Sequence, residues 1–486
     1  MALMQMLRFP IWRKKPPIQL LLASGLCGVA MNTRVRVLNV THVQPAQTTN
    51  LPRHGAMIKL SPFDTCFLAL RPAQVLFFYD GTSLPPFPSL VRSLRVSLGA
   101  TLGVFAPFAG RVTACSDDHD VLIDCSPDPG VRFVEAEYSG DTADMRRLAR
   151  DKEHDTEAFL QLVPELEVGR LPAPAFAVQV TRPADGGGAV AVGVVMHHAV
   201  ADGQSLWQFM RAWSTTSQEG SLAVALAPTF DRAGILRHPK AEAAARNLAR
   251  FSAPELPKVN MFPDPDWRRQ SPRTYLLTAD QIKSLKRRIL FLQSQGTTKN
   301  GDGPPEPPTT YVAIASLLWT SIVRARSVNS ATTLDDEYLS FPADYRRRLR
   351  PPLEPGFFGN CIKVHYVRAT TGDLVCRSVN NDNGLARAAA GFGRAMREHV
   401  EKEDPLGDAD RWVEMIQGLT RERLMVLGGS NRHMMYEVDF GWGQPRRVEF
   451  ISNTTLLGAS GGTVYVSVNL HRDHVDTFEA NFLSHV

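Results

Sequence analysis

The side chains best suited to chemistry lie in one short stretch, where Asp202 and Gly203 follow His198 after three intervening residues. A neutral imidazole has a pKa near physiological pH, so it could take a proton from a hydroxyl or amine that attacks a carbonyl carbon. Asp202 could hold the loop through a hydrogen bond or an ion pair, and Gly203 permits backbone conformations that other residues avoid. The stretch is a candidate general-base site, in which His197 is expected to point the other way and to be structural.

The segments on either side of this stretch can hold it in place. Residues 189–196 are small or β-branched and apolar, which predicts a strand buried on both faces. This strand is predicted to pair with 175–181 as a hairpin. After Gly203, apolar side chains recur with the spacing of one helix face, at Leu206, Phe209, Met210 and Trp213. An imidazole between the strand and the helix would be held rigidly and still meet a ligand.

A second motif, Asp-Phe-Gly-Trp-Gly, occupies residues 439–443 and contains neither a nucleophile nor a base. Gly441 and Gly443 permit a tight turn, and Asp439 is placed to anchor it. Trp442 could offer its indole N–H to a developing oxyanion, and the alternative is that its ring packs in the core.

In this order, and about half a chain apart, the segments 197–203 and 439–443 resemble the signature motifs of the plant BAHD acyl-CoA-dependent acyltransferases. The resemblance extends over nearly all of 31–486, through landmarks such as Leu60–Asp64 and Phe105–Val112. It implies an α/β fold of two similar chloramphenicol-acetyltransferase-like domains, each a mixed β-sheet with helices, with a channel between them. A monomer is expected.

The resemblance also implies a mechanism without a covalent intermediate. An acyl-CoA thioester is the co-substrate, no cofactor is bound, and His198 is the general base that activates the acceptor. The family's structures turn the residue matching Asp202 away from the reacting centre into an ion pair that shapes the loop. The other option for Asp202, a catalytic dyad with the imidazole, stays open at this point.

Three further residues receive roles from the resemblance alone. In the family an arginine at the place of Arg346 pairs with the aspartate of the second motif, which here is Asp439. Thr309 and Thr310 match the start of a helix that touches CoA. No phosphate-binding or dinucleotide fingerprint is present, so neither ATP nor NAD is implied.

The donor and acceptor are suggested by Phe358–Cys361, which is similar to the Tyr-Phe-Gly-Asn-Cys element of the anthocyanin and phenolic glucoside malonyltransferases. That likeness implies malonyl-CoA as donor and a hydroxyl of a phenolic or flavonoid glucoside as acceptor. Gln204, where Arg or Lys is frequent, and Asn431, where Pro is common, depart from the pattern. A hydroxycinnamoyl-CoA transferase with an alcohol or amine acceptor is the alternative. A catalytically inactive CoA- or phenolic-binding homologue is more distant, since His198 is intact.

A serine hydrolase is not predicted, although residues 458–462 match Gly-x-Ser-x-Gly. That motif requires a helix after the serine, with an acid and a histidine further on. Here an alternating, strand-like segment follows and only 24 residues remain, so these residues are predicted to form a hairpin turn.

Composition excludes several other classes of protein. The net charge of +5 comes from eight basic residues within 1–63, where no acidic residue occurs, so the remaining chain carries −3. A nucleic-acid binder would be expected to carry a clustered basic face instead. Six scattered cysteines without a Cys-x-x-Cys pair predict free thiols and no metal site.

The predicted organisation has four parts: an extension at 1–30, a first acyltransferase domain at 31–215, a proline-punctuated crossover at 216–272 and a second domain at 273–486. The extension joins a basic patch to an apolar run, Ile18–Ala30, that is too short to span a bilayer. It suits a secretory signal, an organelle transit peptide or an upstream start without a targeting role. A cytoplasmic enzyme without a membrane partner is favoured, and 1–30 is expected to be dispensable.

Overall fold

Runs rich in valine, phenylalanine and tyrosine form the strands, because β-branched and aromatic side chains pack well on a pleated surface. The strands are β1 (Val35–Val43), β2 (Met57–Lys59), β3 (Ala73–Asp80), β4 (Arg111–Ala114), β5 (Val121–Asp124), β6 (Val131–Tyr138), β7 (Ala173–Pro174), β8 (Phe176–Pro183), β9 (Ala189–Met196), β10 (Arg273–Leu277), β11 (Asp336–Asp344), β12 (Ile362–Thr370), β13 (Leu424–Gly429), β14 (Arg447–Phe450), β15 (Thr455–Ser460) and β16 (Thr463–Val468).

Helices cover these sheets with their apolar sides. They are α1 (Pro62–Thr65), α2 (Phe87–Leu102), α3 (Thr142–Arg150), α4 (Thr156–Gln161), α5 (Gly203–Glu219), α6 (Ala233–Leu236), α7 (Ala241–Ser252), α8 (Ala279–Gly296), α9 (Thr310–Arg326), α10 (Thr371–Val375), α11 (Asn383–Ala395), α12 (Trp412–Gln417) and α13 (Val475–Leu483). Short 3₁₀ segments span Ala106–Ala109, Trp267–Arg269, Ala409–Arg411, Arg421–Arg423, Met435–Glu437 and Arg472–His474, and a π-helical turn spans Met396–Val400.

These elements come from a computed structural model that describes residues 33–46, 56–115, 119–126, 128–222, 224–263, 266–296, 306–327, 333–376, 383–400, 404–419, 421–430, 432–452 and 454–486. The predicted extension at 1–30 lies outside these residues. Within them, no helix is both long and apolar enough to cross a membrane.

The first six-stranded sheet has the order β1-β6-β8-β9-β3-β14. Its pairs are antiparallel except for β6 and β8, which run parallel. The last strand, β14, comes from the C-terminal part of the chain and pairs with β3. The C-terminal part therefore completes the sheet of the first half, and the two halves are joined by more than a linker.

The second six-stranded sheet has the order β10-β16-β15-β13-β11-β12. Its two parallel pairs are β11 with β13 and β13 with β15. One face packs against helices through buried side chains such as Leu339, Phe341 and Val367. The mixed α/β class predicted from the sequence is thus what the structure has, with one mixed sheet and its own hydrophobic core in each half. The predicted domain boundaries remain predictions.

The elements around the candidate base agree with the sequence-based prediction. Strands β8 and β9 form the expected hairpin, and every residue of β9 is buried. The predicted face of α5 is buried, including Phe209 and Trp213. Strands β15 and β16 form the hairpin predicted in place of a nucleophile elbow. Helix α2 begins at Phe87, directly after Pro86. Proline fixes the backbone dihedral φ and suits the start of a helix.

A buried polar cluster joins the two halves at their seam. His154 Nε2 lies 2.9 Å from Thr274 Oγ1 of β10 and 3.4 Å from Glu449 Oε1 of β14. Thr274 Oγ1 donates to Glu449 Oε1 at 2.5 Å, and Arg447 Nε donates to the same oxygen at 2.8 Å. Burial lowers the pKa of His154 to about 4, so the imidazole is neutral near pH 7.

Buried neutral histidines make stability depend on pH. Burial lowers the pKa of His197 and of His365 to about 3, as it lowers that of His154 to about 4. Below about pH 6.5 these groups bind protons in the unfolded chain and not in the folded one. We therefore expect the free energy of unfolding to be constant above pH 6.5. Below it, that free energy should fall by about 1.4 kcal/mol per pH unit and group until the folded pKa is reached.

Urea unfolding at pH 7.5, 6.0 and 5.0 measures this slope. His154→Gln should reduce the slope of the free energy of unfolding against pH by the contribution of one proton, about 1.4 kcal/mol per pH unit. His42→Gln, at an exposed position, should leave the slope unaltered. Equal stability of the parent protein at pH 7.5 and 5.0 would contradict the expectation.

Candidate active site

His198 lies in the turn between β9 and α5, where the buried strand ends. Its ring stacks on Phe67, with centroids 4.7 Å apart and planes inclined by 15°. Nδ1 is buried and has no hydrogen-bond partner from another of the described residues. The side chain as a whole is half-buried, so Nε2 is the ring nitrogen left for a ligand. Burial lowers the pKa of His198, and the charge of Asp202 opposes that shift only in part. The imidazole is therefore neutral and able to accept a proton at physiological pH.

His197 occupies a different environment. It is fully buried, and its Nδ1 accepts a hydrogen bond from the backbone N–H of Ala199 at 3.2 Å. Burial, with a smaller effect of neighbouring His198, lowers its pKa to about 3. This position agrees with the structural role expected for His197.

Asp202 does not orient the imidazole. It is the N-cap of α5, and its carboxylate accepts hydrogen bonds from the backbone N–H of Ser205 and of Cys361, each at 3.1 Å. Both carboxylate oxygens also face Arg346, with Nη1–Oδ2 and Nη2–Oδ1 distances of 2.9 Å. Burial alone would raise the pKa of Asp202, but Arg346 and these hydrogen bonds lower it. Of the two roles predicted for Asp202, the structure shows the ion pair that shapes the loop.

The predicted ion pair between Arg346 and Asp439 is wrong. Arg346 is buried, and it forms ion pairs with Asp202 and Asp344, whose Oδ2 is 2.9 Å from Nη1. The physical reason is proximity: Arg346 follows β11 directly, and a charge so deeply buried needs partners in contact with it. A bidentate pair at Asp202 supplies them within the same cluster.

The segment Phe357–Cys361 fastens this cluster to α5. Ser205 Oγ donates to the carbonyl of Gly359 at 2.9 Å and accepts from its N–H at 3.0 Å. Gly359 has φ of +153°, and a Cβ there would lie 2.2 Å from Nη2 of Arg232. Arg232 is itself buried and donates through Nη1 to the carbonyl of Phe358 at 2.7 Å. Only glycine fits between the two arginine-bearing loops.

A second buried carboxylate, Asp64, connects α1 to the same segment. Its Oδ1 accepts from the backbone N–H of Asn360 at 2.9 Å and from Nδ2 at 3.2 Å, while Oδ2 accepts from Ser61 Oγ at 2.7 Å. Asn360 Nδ2 also donates to the main-chain carbonyl of His198 at 3.1 Å. The turn that carries the candidate base is therefore tied to the second half of the chain.

Gly203 does not have a positive φ, and the space around it for a side chain is limited. It is the first residue of α5, and a Cβ there would lie 3.1 Å from Nε2 of His433. His433 reaches this point from the loop after β13, and burial lowers its pKa to about 4. The sequence-based reason for Gly203 was wrong, because its backbone conformation is an ordinary helical one, and the constraint on a side chain here is the nearby imidazole.

The second motif lies at the opposite end of α5. Asp439 Oδ1 accepts hydrogen bonds from the backbone N–H of Gly441, Trp442 and Gly443 at 2.7, 2.9 and 2.9 Å. Gly441 and Gly443 have φ of +96° and +92°, so the predicted tight turn and its anchor are both present. A Cβ on Gly441 would lie near Gln218, close to the C-terminal end of α5.

Trp442 is consequently a core residue. Its ring packs edge-on against Tyr79 at 5.4 Å, and Tyr79 pairs with Val190 at the beginning of β9. His198 follows the end of β9, and eight strand residues extend about 26 Å. An indole at that distance cannot donate to an oxyanion at the imidazole, so that option for Trp442 was wrong.

Thr309 and Thr310 stand at the start of α9. Thr309 is exposed and is the N-cap, with its Oγ1 accepting from the N–H of Val312 at 3.2 Å. Within the described ranges, neither threonine contacts the residues around His198. Their CoA-binding role stays a prediction. Nor do the described residues include a group of three His, Cys, Asp or Glu side chains that could hold a metal ion.

Sequence reasoning missed four polar residues of this site: Asp64, Ser205, Arg232 and Asn360. Asp64 belongs to a segment that the sequence analysis used as a landmark of a resemblance, and Asn360 to one that it used to suggest the donor and acceptor. The available signal was a polar side chain within an apolar segment, as in Phe357–Cys361. Such residues are buried only when they are hydrogen-bonded, and their partners are distant in sequence.

The protein is a two-domain α/β protein with two mixed sheets, a candidate general base at the end of a buried strand and a buried ion pair between the loops of the two sheets. Among solved structures, the chain resembles vinorine synthase with a TM-score of 0.67, 19% identity and coverage of 93% of this chain and 98% of that one. This likeness shows the fold.

Two curated relatives cover nearly the whole chain. A malonyl-CoA:anthocyanidin 5-O-glucoside-6''-O-malonyltransferase of Arabidopsis thaliana is 29% identical over 93% of this chain and 99% of its own length. A hydroxycinnamoyltransferase of Narcissus pseudonarcissus is 28% identical over 92% and 98%. The model of the Transferase family matches residues 33–484. The chain belongs to this family, the BAHD acyltransferases, and is an acyltransferase that uses an acyl-CoA thioester as co-substrate.

A double-mutant cycle tests the partner of Arg346. Arg346→Gln should lower the free energy of unfolding by about 3–5 kcal/mol, because it leaves the buried carboxylate of Asp202 without its cation. Asp202→Asn should cost less, because Arg346 keeps its ion pair with Asp344. Combined, they should show a coupling of about 1–3 kcal/mol. Asp439→Ala removes the acceptor of three N–H groups and should cost about 1–3 kcal/mol.

With Arg346→Gln, Asp439→Ala should be additive within about 0.5 kcal/mol, since the two residues share no contact. Denaturant unfolding of the five variants measures which aspartate is energetically coupled to Arg346. Coupling between Arg346 and Asp439, or additivity between Arg346 and Asp202, would contradict the arrangement.

Proposed function

We propose that the protein transfers an acyl group from acyl-CoA directly to a hydroxyl of a phenolic or flavonoid glucoside, with His198 as the general base. The observation that carries the base assignment is the neutral, half-buried imidazole whose Nδ1 is buried, so that Nε2 is the nitrogen left for a substrate. Nε2 would take the proton of the acceptor hydroxyl as the oxygen attacks the thioester carbonyl. The imidazolium would then return that proton to the departing CoA thiolate.

A surface suited to an aromatic acceptor lies on the second sheet, on the face opposite to the buried side chains Leu339, Phe341 and Val367. Its residues on β11, β12 and β13 share one face by strand register and are half-buried or exposed: Tyr338, Pro342, Ile362, Val364, Tyr366, Leu424 and Val426. We call this set the open face. Apolar and aromatic side chains there would pack against the rings of a phenolic compound.

The open face begins beside the candidate base. Ile362 follows Cys361 and Asn360, and Asn360 contacts the carbonyl of His198. Further along β12, burial raises the pKa of Tyr366 to about 12, with a contribution from nearby Cys66. Cys66 precedes Phe67, the ring stacked on His198. These neighbours support the proposal that an acceptor on this face presents its hydroxyl to the imidazole.

For the donor we propose malonyl-CoA, supported by the name of the Arabidopsis relative, a malonyltransferase, and by the Phe358–Cys361 element. One observation favours the second candidate, a hydroxycinnamoyl donor. Around His198, among the residues described, the buried arginines face carboxylates: Arg346 pairs with Asp202, and Arg232 Nε lies 3.5 Å from Asp64. A malonyl carboxylate would need a cation of its own.

A donor screen separates these candidates. Malonyl-CoA, p-coumaroyl-CoA and acetyl-CoA would each be offered with a flavonoid glucoside or with agmatine, following free CoA with a thiol reagent and products by mass. Acceptor-dependent release with malonyl-CoA supports the proposal. Release only with p-coumaroyl-CoA keeps the base and replaces the donor. Binding of CoA and phenolics without turnover would instead favour the inactive homologue.

His198→Ala should lower kcat by about 10³-fold, the contribution of a positioned general base, while leaving thermal unfolding close to that of the parent. His42→Ala on the exposed strand β1 is the matched control and should retain activity. Because burial lowers the pKa of His198, the acid limb of kcat/KM should inflect below pH 6.5. Near-normal turnover of His198→Ala refutes the base assignment.

A charge on the open face should weaken acceptor binding. Val426 is 41% exposed, and Val426→Arg should raise the KM for the phenolic acceptor at least about tenfold, or about 1.4 kcal/mol, without a matching rise for acyl-CoA. Leu276→Arg, at the other edge of the same sheet, is the control. An unchanged acceptor KM in Val426→Arg would exclude the open face as the acceptor site.

A further inference from the structure

Among the residues that the structure describes, no carboxylate forms a hydrogen bond with the His198 ring to fix its orientation. In a serine-protease triad a buried aspartate accepts a hydrogen bond from the imidazole and fixes its direction. Here Asp202 is occupied by Arg346 and by two backbone N–H groups. Nδ1 of His198 forms no hydrogen bond with any other described residue. The orientation of the His198 imidazole must therefore be set by side-chain packing and by the position of its main chain.

Two contacts provide these constraints. Phe67 stacks on one face of the imidazole at 4.7 Å and limits rotation of the ring. Asn360 Nδ2 donates to the main-chain carbonyl of His198 at 3.1 Å and to Asp64 Oδ1 at 3.2 Å. Both partners of that nitrogen are acceptors, so the amide can be placed in one way only.

Asn360 is itself firmly held. Its side chain is fully buried, and its backbone N–H donates to Asp64 Oδ1 at 2.9 Å. Asp64 in turn accepts from the N–H and the hydroxyl of Ser61, at 3.0 and 2.7 Å. The amide is thus a rigid support, and its second hydrogen reaches the peptide that carries the candidate base.

We propose that Asn360 is a positioning residue for the reaction: its amide holds the carbonyl of His198 and thereby aims Nε2 at the acceptor hydroxyl. This inference rests on the proposed function, in which His198 is the base. A base must lie within hydrogen-bond reach of the proton it abstracts, and a displacement of about 1 Å costs about 100-fold in rate.

Asn360→Asp is the sharpest test because it preserves shape and removes both N–H donors. At pH 8 the new carboxylate would oppose Asp64 and the carbonyl of His198. We expect kcat to fall about 100-fold, with the KM values of acyl-CoA and acceptor within about twofold of the parent. Two carboxyl groups in contact share one proton as the pH falls, which restores a donor. The ratio of variant to parent kcat should therefore rise between pH 8 and pH 6.

Two further variants complete the experiment. Asn360→Ala should lose kcat to a similar extent without recovery at low pH, because it introduces no proton donor. Asn247→Asp, the same substitution at an exposed position of α7, should behave like the parent at every pH. If Asn360→Asp does not yield folded protein, the split between kcat and KM in Asn360→Ala carries the test.

The outcomes separate this inference from the proposed function. Parent-like kcat in Asn360→Asp or Asn360→Ala, together with inactive His198→Ala, overturns the positioning role and leaves the base assignment standing. Equal rises in both KM values without a change in kcat also overturn the positioning role. An active His198→Ala removes the proposed mechanism, whatever Asn360 does.

Discussion

The ion pair between Arg346 and Asp202 is the interaction on which the site depends. Both side chains are almost completely removed from solvent, with 5% and 2% exposure. Breaking a pair of this kind leaves a charge that water cannot reach, at a cost of about 3–5 kcal/mol. The pair fixes the start of α5 against the segment that follows β11. It also commits Asp202 to the scaffold, so the imidazole of His198 takes its orientation from other neighbours.

The two halves of the protein meet in a way that makes the seam rigid. Strand β14 belongs to the first sheet although the second half supplies it, and the buried cluster of His154, Glu449 and Thr274 reaches across to β10. A site built from both halves can be held within narrow limits only when the halves cannot shift. Asp64 and Ser205 form hydrogen bonds with the segment Phe357–Cys361. These bonds hold the turn that carries His198 against the second half of the chain.

The two sequence motifs lie at opposite ends of α5 and have different roles. Seventeen residues extend about 25 Å, so the turn at its N-terminus and the turn at Asp439 are at opposite ends of one rod. The first presents an imidazole at an accessible edge. The second closes on itself through three N–H groups bonded to Asp439 and packs Trp442 against Tyr79. The motif that marks the family most visibly therefore supports the fold at a distance from the candidate base.

The sequence alone determined what depends on local order. Periodicity placed β9 and the buried face of α5, the glycines at 441 and 443 predicted their turn, and the motifs pointed to the family and to His198. Tertiary structure decided every pairing between residues far apart in the chain. Arg346 could have met any of several aspartates, and only the fold brought it to Asp202. Asp64 and Asn360 are 296 residues apart, so no local pattern could join them. Likewise, only the fold brings His433 close to Gly203 and limits the space for a side chain there. The space around a residue is a property of the packed chain.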